Sequence, residues 1–225
     1  MTIGHFFLVR FFLLAGTGCG RYSSHMKQTI VSLDLEGVLV PEIWIAVAEK
    51  TGIEALRRTT RDEPDYDLLM RSRLAIMKEN NLKLSDIQDV IGSMSPLDGA
   101  KDFLDELRAQ TQVVILSDTF VQFANPLMRQ LDWPVIFCNH LEAIGDVVVN
   151  YHLRQSDQKR QSVVAFKSLN FEVIAAGDSY NDTNMLTEAN HGILFRAPEN
   201  IQSEFPQFPV VSEFNELMRL IEDRL

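Results

Sequence analysis

Asp34 and Glu36 stand in the run I-V-S-L-D-L-E-G-V-L-V over residues 30–40. An apolar stretch delivers one acid to a strand end, and a second acid follows just before Gly37. Acidic side chains are rarely buried unless paired or bound to a metal, so acids at the carboxyl end of a strand mark a candidate site. D-x-E-G alone is a common polar turn; its recurrence in kind is what matters. Val113-Val-Ile-Leu116 runs into Ser117-Asp118-Thr119, and Glu172 to Ala176 runs into Gly177-Asp178-Ser179-Tyr180-Asn181-Asp182. Carboxylates gathered from several strand ends can hold Mg²⁺, which prefers oxygen ligands and is usually held by one or two carboxylates plus a substrate phosphate. A carboxylate can also attack phosphorus to form an aspartyl-phosphate, splitting one difficult transfer into two easier steps.

These residues can share one site if their strands belong to one sheet, and the rest of the pattern predicts such a sheet. Short apolar runs at 30–33, 113–116, 134–138, 172–176 and 192–195 alternate with segments of helical periodicity, the mark of an α/β fold with an open parallel sheet and helices on both faces. Helices are expected from Pro41 to Thr51, Tyr66 to Asn80, Leu84 to Ile91, from the turn at Pro96 to Gly99 through Leu107, Asn125 to Asp132 and Asp157 to Leu169. Further helices should run through Ala189, near Pro198 and from Ser212. Asn125-Pro126 has the form of a helix start, and Asp157 that of a cap whose helix buries Val163, Val164, Phe166 and Leu169. Val147 to Leu153 reads as a hairpin arm. Trp44 and Phe103 are expected in the core. Residues 41–95 form a helical insertion after the first strand, leaving 26–40 and 96–225 as the main unit.

Composition narrows the classes. A net charge of -10 and a pI near 4.9 argue against nonspecific nucleic-acid binding, which needs a basic footprint. They leave room for a phosphorylated small molecule, since a metal ion and a few basic groups make a locally positive pocket. Cys19 and Cys138 stand far apart in unlike contexts, which disfavours a disulfide framework and fits a reducing, cytoplasmic setting. The five histidines form no i,i+4 pair, so zinc has little support. Phe6 to Ala15 is too short to span a bilayer, which takes about 20 residues. Residues 1–25 are expected to be an extension with no share in the fold, Met26 being the natural start; a weak export signal is the alternative.

D-L-E-G-V-L, L-S-D-T, a lysine opening a helix and G-D-S-Y-N-D occur in the order that resembles the four motifs of the haloacid dehalogenase-like phosphatases. The resemblance covers Met26 to Leu225. The insertion after the first motif is similar to the small cap of phosphoserine phosphatases. Glu36, followed by V-L-V-P-E-I-W, is most similar to the bifunctional phosphoserine phosphatase/homoserine phosphotransferase type. The resemblance implies a Rossmann-like core, Mg²⁺, hydrolysis of O-phosphoserine with transfer to homoserine as a second outcome, amino-acid metabolism and a homodimer. It implies Asp34 as nucleophile and metal ligand, and Glu36 as acid and base with its backbone carbonyl on the metal. Ser117 and the Asp118 amide would hold phosphate oxygens, Lys159 would neutralise charge, and Asp178 would complete the protein's metal ligands. Asn181 and Asp182 would orient the site. Glu42 would take the substrate ammonium and Arg73 its carboxylate.

Each role has a plainer competitor. Ser117 can be a helix cap, Glu42 a favourable charge at a helix start, and Asp182 a structural residue. Arg160 competes with Lys159, and Arg71 with Arg73. Two departures bear on substrate: glutamate at 36 where most relatives carry aspartate, and Ser117-Asp118-Thr119 where serine is usually followed by glycines. Rival functions are a phosphatase for another small phosphomonoester, a sugar or nucleotide, and a non-catalytic ligand-binding relative.

Overall fold

The computed structural model describes residues 27–225 apart from 61 and 64, so the expected extension 1–25 and the start at Met26 lie outside the described residues. Among the described residues, seven strands form one sheet in the order β4-β3-β2-β1-β5-β6-β7. They are β1 (Thr29–Leu33), β2 (Gln112–Phe120), β3 (Val135–Ile144), β4 (Val147–His152), β5 (Glu172–Gly177), β6 (His191–Phe195) and β7 (Val210–Val211). All neighbours are parallel except β3 and β4, which form the expected antiparallel hairpin. β1 lies between β2 and β5, so the three acid-bearing strand ends are adjacent.

Side chains of β1 alternate between two cores, as the period of 2 requires. Val31 and Leu33 join a cluster with Ile43, Phe103, Phe123 and Leu217, while Ile30 joins Val163, Met185 and Ile201 on the other face. The first cluster is covered by α1 (Ile43–Thr51), α2 (Tyr66–Glu79), α3 (Leu84–Ser93), α4 (Ala100–Gln110), α5 (Val121–Gln130) and α9 (Phe214–Glu222). The second is covered by α6 (Gln158–Ser168), α7 (Thr183–Glu188) and α8 (Glu199–Glu204). The α1–α3 helices fall within the 41–95 insertion. Phe103 is buried and stacks on Phe214 with ring centroids 4.9 Å apart.

Several boundaries differ from expectation. The first helix starts at Ile43, not Pro41, and ends on Gly52 in a left-handed conformation. β2 continues through Ser117 to Phe120. α5 begins at Val121 and carries Pro126 inside it. The missing proline N–H orphans the Gln122 carbonyl four residues back, and Gln88 Nε2 donates to that oxygen at 2.9 Å. Asp157 precedes α6 in a left-handed conformation and makes no cap hydrogen bond with its side chain. The inward face of α6 is Gln158, Lys159, Ser162, Val163 and Phe166, while Leu169 is exposed. Apolar periodicity was misleading there because the inward turn carries polar site residues.

Candidate active site

The end of β1 sits beside the end of β5: the Asp34 N–H donates to the Ala176 carbonyl at 3.0 Å. Gly37 has φ 78°, and a β-carbon there would lie 2.5 Å from Asp178 Oδ2. Glycine therefore serves twice, adopting the left-handed turn and letting that turn press against the β5 acid. Gly177 makes the same allowance, since its β-carbon would fall 2.4 Å from the Asp182 carboxyl carbon.

Lys159 is the cation of this cluster. Its Nζ lies 2.8 Å from Asp34 Oδ1, 2.7 Å from Asp182 Oδ1 and 3.8 Å from Asp118 Oδ2, and only 3% of its side chain is exposed. Burial works against its charge, but Asp182, Asp34 and Asp118 outweigh it and hold its pKa well above the ordinary value. Arg160, its competitor, is 40% exposed and pairs with Glu188. Asp34 Oδ1 also accepts the Leu35 N–H at 2.8 Å. Burial and the Asp182 and Asp178 charges push the Asp34 carboxyl well above its usual range, with Lys159 opposing them.

One lysine does not balance this group, and the imbalance points to a further cation. Asp34, Asp178 and Asp182 each present a carboxylate oxygen, all within 4.8 Å of one another and all buried. Asp182 is already engaged: Oδ1 takes Lys159, and Oδ2 accepts the N–H groups of Asp178 and Ser179 at 3.0 and 3.1 Å. Its part is to orient the Asp178 segment and Lys159. Three buried carboxylate oxygens this close together could hold a metal ion, and Mg²⁺, which takes oxygen ligands, suits the set.

Glu36 extends from the same turn to the start of α1, where Oε2 accepts the Ile43 N–H at 2.9 Å. It thus does the capping that Glu42, the N-cap residue, does not. Burial raises the Glu36 pKa to about 7, followed by the nearby Glu42; the Ile43 N–H, Arg73 and Lys159 pull it down. A carboxyl at that value exchanges protons readily in both directions at neutral pH.

β2 approaches the site through an irregularity. Leu116 pairs with Phe137 and Phe120 with Asn139, four residue steps against two, so Ser117 to Thr119 leave the ladder. Ser117 Oγ accepts the Thr119 N–H at 3.2 Å and caps no helix, α5 being preceded by Phe120. Asp118 Oδ2 accepts Asn181 Nδ2 at 2.9 Å.

The opposite wall comes from the insertion. Glu42, Trp44, Tyr66 and Arg73 line a cavity of about 70 Å³ with Asp34, Glu36, Ser117, Asp118, Lys159, Asp178 and Asn181. Arg73 is 6% exposed and lies 4.5 Å over the Trp44 ring. Trp44 is therefore both core and cavity wall. One guanidinium nitrogen of Arg73 donates to the Arg58 carbonyl at 2.9 Å, while Nε has no hydrogen-bond partner among the described residues. Burial lowers its pKa to about 10, so it stays charged at neutral pH. Arg71 points away, 72% exposed and paired with Asp67. The predicted site residues thus border one cavity, except Asp182, which is buried behind it on Lys159.

A family model described as haloacid dehalogenase-like hydrolase matches residues 28–190. The chain belongs to the haloacid dehalogenase-like hydrolases. It is 64% identical over 191 residues to the phosphoserine phosphatase ThrH of Pseudomonas aeruginosa, covering 84% of this chain and 93% of that one. A phosphoserine phosphatase of Pseudomonas syringae is likewise 64% identical over 191 residues, covering 84% and 81%. Among solved structures, a substrate-bound phosphoserine phosphatase complex superposes with TM-score 0.73 at 18% identity, over 87% of this chain and 99% of the other. That likeness is one of fold, and it agrees with the Rossmann-like α/β sheet found here. Among the described residues, no helix of this haloacid dehalogenase-like hydrolase is long and apolar enough to cross a membrane.

Sequence reasoning missed Tyr66 and Gln158. The Tyr66 hydroxyl donates to the Asp118 carbonyl at 2.9 Å across 52 residues, and Gln158 Nε2 donates to the Ser117 carbonyl at 2.6 Å. Neither type at either position signals a site; only position in the fold does. Gln158 had one cue, its place beside Lys159 at the opening of α6.

Proposed function

We propose that this hydrolase is a Mg²⁺-dependent phosphoserine phosphatase working through an aspartyl-phosphate. The observation that carries the reading is a single cavity with Asp34, Asp178 and Lys159 on one wall and Glu42 with the buried Arg73 on the other. The first wall suits a phosphate and the second an α-amino acid. The names of the two Pseudomonas relatives support the same substrate. Residues 41–95 act as the cap, and 26–40 with 96–225 as the catalytic core.

Asp34 attacks phosphorus; the bond from phosphorus to the serine oxygen breaks as the Asp34 ester forms, and Glu36 gives its proton to that oxygen. Water then attacks the same phosphorus, Glu36 takes its proton, and Asp34 is released with inorganic phosphate. Ser117 Oγ and the Asp118 N–H hold phosphate oxygens, and Lys159 balances charge as it spreads over the transferred group. Glu42 receives the substrate ammonium, and Arg73 its carboxylate in a bidentate grip. A bound Mg²⁺, held by Asp34, Asp178 and the Glu36 backbone carbonyl, supplies charge neutralisation of the phosphoryl group. Homoserine in place of water gives the phosphotransferase outcome, and exclusion of water by the cap sets the partition.

Asp34→Asn is the test. It should reduce phosphoserine hydrolysis to background and abolish acid-stable phosphate labelling, while leaving the fold and Mg²⁺-dependent phosphoserine binding in place. Turnover surviving in the variant refutes the mechanism. Assaying free phosphate and phosphohomoserine, with and without homoserine, measures the partition.

A further inference from the structure

The phosphate-facing loop of β2 is held by a closed ring of side chains. The Asp118 carbonyl accepts Asn139 Nδ2 at 3.1 Å, Asn139 Oδ1 accepts the Arg154 N–H at 3.0 Å, and Arg154 Nε donates to Gln158 Oε1 at 3.1 Å. Gln158 Nε2 closes the ring, donating to the Ser117 carbonyl at 2.6 Å and to Asp118 Oδ1 at 3.0 Å. Both amides have a forced orientation. Arginine and a main-chain N–H only donate, so Gln158 and Asn139 must turn oxygen towards residue 154 and nitrogen towards the loop. Gln158 is 4% exposed, with both amide atoms used.

The loop needs this support. Ser117 to Thr119 lie in the interval where β2 breaks register with β3, and the residue after the serine is aspartate, which lacks the backbone freedom of glycine. We propose that Gln158, oriented by Arg154, is a positioning residue that holds the Ser117-Asp118 backbone in the geometry that binds the transferring phosphoryl group. Gln158 and Lys159 open α6, so one helical turn sets both the loop and the Asp34 cation. The inference rests on the phosphatase reading and acts through the loop without touching substrate.

The test compares wild type, Gln158→Leu, Gln158→Glu, Asp118→Asn and the Gln158→Glu/Asp118→Asn double variant in MgCl2. Substrates are phosphoserine and p-nitrophenyl phosphate, with orthovanadate as a mimic of the transition state. Gln158→Leu should lower kcat on both substrates on the order of 10- to 100-fold, the scale of a misplaced catalytic group. KM should stay within about threefold, and vanadate inhibition should weaken in step with kcat. Gln158→Glu puts a carboxylate against Asp118, and adding Asp118→Asn supplies a donor there, so the double variant should be faster than Gln158→Glu alone. Unchanged kcat and vanadate inhibition in Gln158→Leu overturns the proposal. Single losses that simply multiply in the double variant also overturn it, and this second criterion decides if Gln158→Leu fails to fold. A wild type that cleaves p-nitrophenyl phosphate but not phosphoserine overturns the substrate proposed above, while the variants still decide the part of Gln158.

Discussion

Replacing Lys159 by methionine keeps the volume and removes the ammonium that pairs with a buried cluster of acids. Lys159 Nζ lies 2.8 Å from Asp34 and 2.7 Å from Asp182. At an effective dielectric of 20, each such pair is worth about 6 kcal/mol of Coulomb attraction, most of it offset by the cost of burying the lysine. Deleting one partner of a buried pair leaves the others uncompensated, at a net cost of about 3–5 kcal/mol. For a chain of this size that is a fall in Tm of about 6–20 °C at 2–4 °C per kcal/mol. The deficit should grow as pH rises above about 4, the ordinary carboxylate value. Burial and the neighbouring acids already raise the folded pKa of Asp34, and losing the opposing lysine raises it further, so the native state holds more protons than the unfolded chain and loses stability as they leave. Adding MgCl2 should recover more stability in the variant than in wild type, because a dication then meets acids that no ammonium occupies. Turnover should fall sharply whether or not Mg²⁺ restores Tm, since charge on the transferred group is no longer balanced. Circular-dichroism melts at pH 5 and 8, in EDTA and in MgCl2, give all four values. A variant within 2 °C of wild type in EDTA at pH 8, a margin well below the expected shift of about 6–20 °C, refutes this account of the cluster.

Three further outcomes are expected. Gly37→Ala strains a φ of 78° and drives a β-carbon onto Asp178, so calorimetric titration should show Mg²⁺ affinity weakened by about 10- to 100-fold. Arg73→Ala should raise KM for phosphoserine by about 10- to 100-fold, the scale of a lost charged hydrogen bond, and leave p-nitrophenyl phosphate, which has no carboxylate, nearly unchanged. A similar rise with both substrates would remove Arg73 from carboxylate recognition. Glu36 has its pKa raised to about 7, so in EDTA its contribution to stability declines as pH rises from about 4.5 to 7. Paired wild-type and Glu36→Gln melts should show that decline in the wild type and lose it in the variant.

Periodicity and strand-end polarity made the α/β class, the sheet and nearly every helix legible, because burial imposes a period on the chain wherever it packs. The three acid-bearing strand ends were legible too, since an acid that closes a buried apolar run must find a cation or hydrogen-bond donors there. Order along the chain could not say that β1 lies between β2 and β5, or that Lys159 rather than Arg160 turns inward; α6 sets that by the phase at which it docks. The true start of α5 was hidden because Pro126 resembles a first-turn residue, and the Gln88 hydrogen bond that tolerates it comes from another helix. Tyr66, Gln158 and Asn139 act through contacts 21 to 52 residues away in sequence. A hydrogen bond has no periodicity and depends on where two elements meet, so that part of the site exists only once the chain has folded.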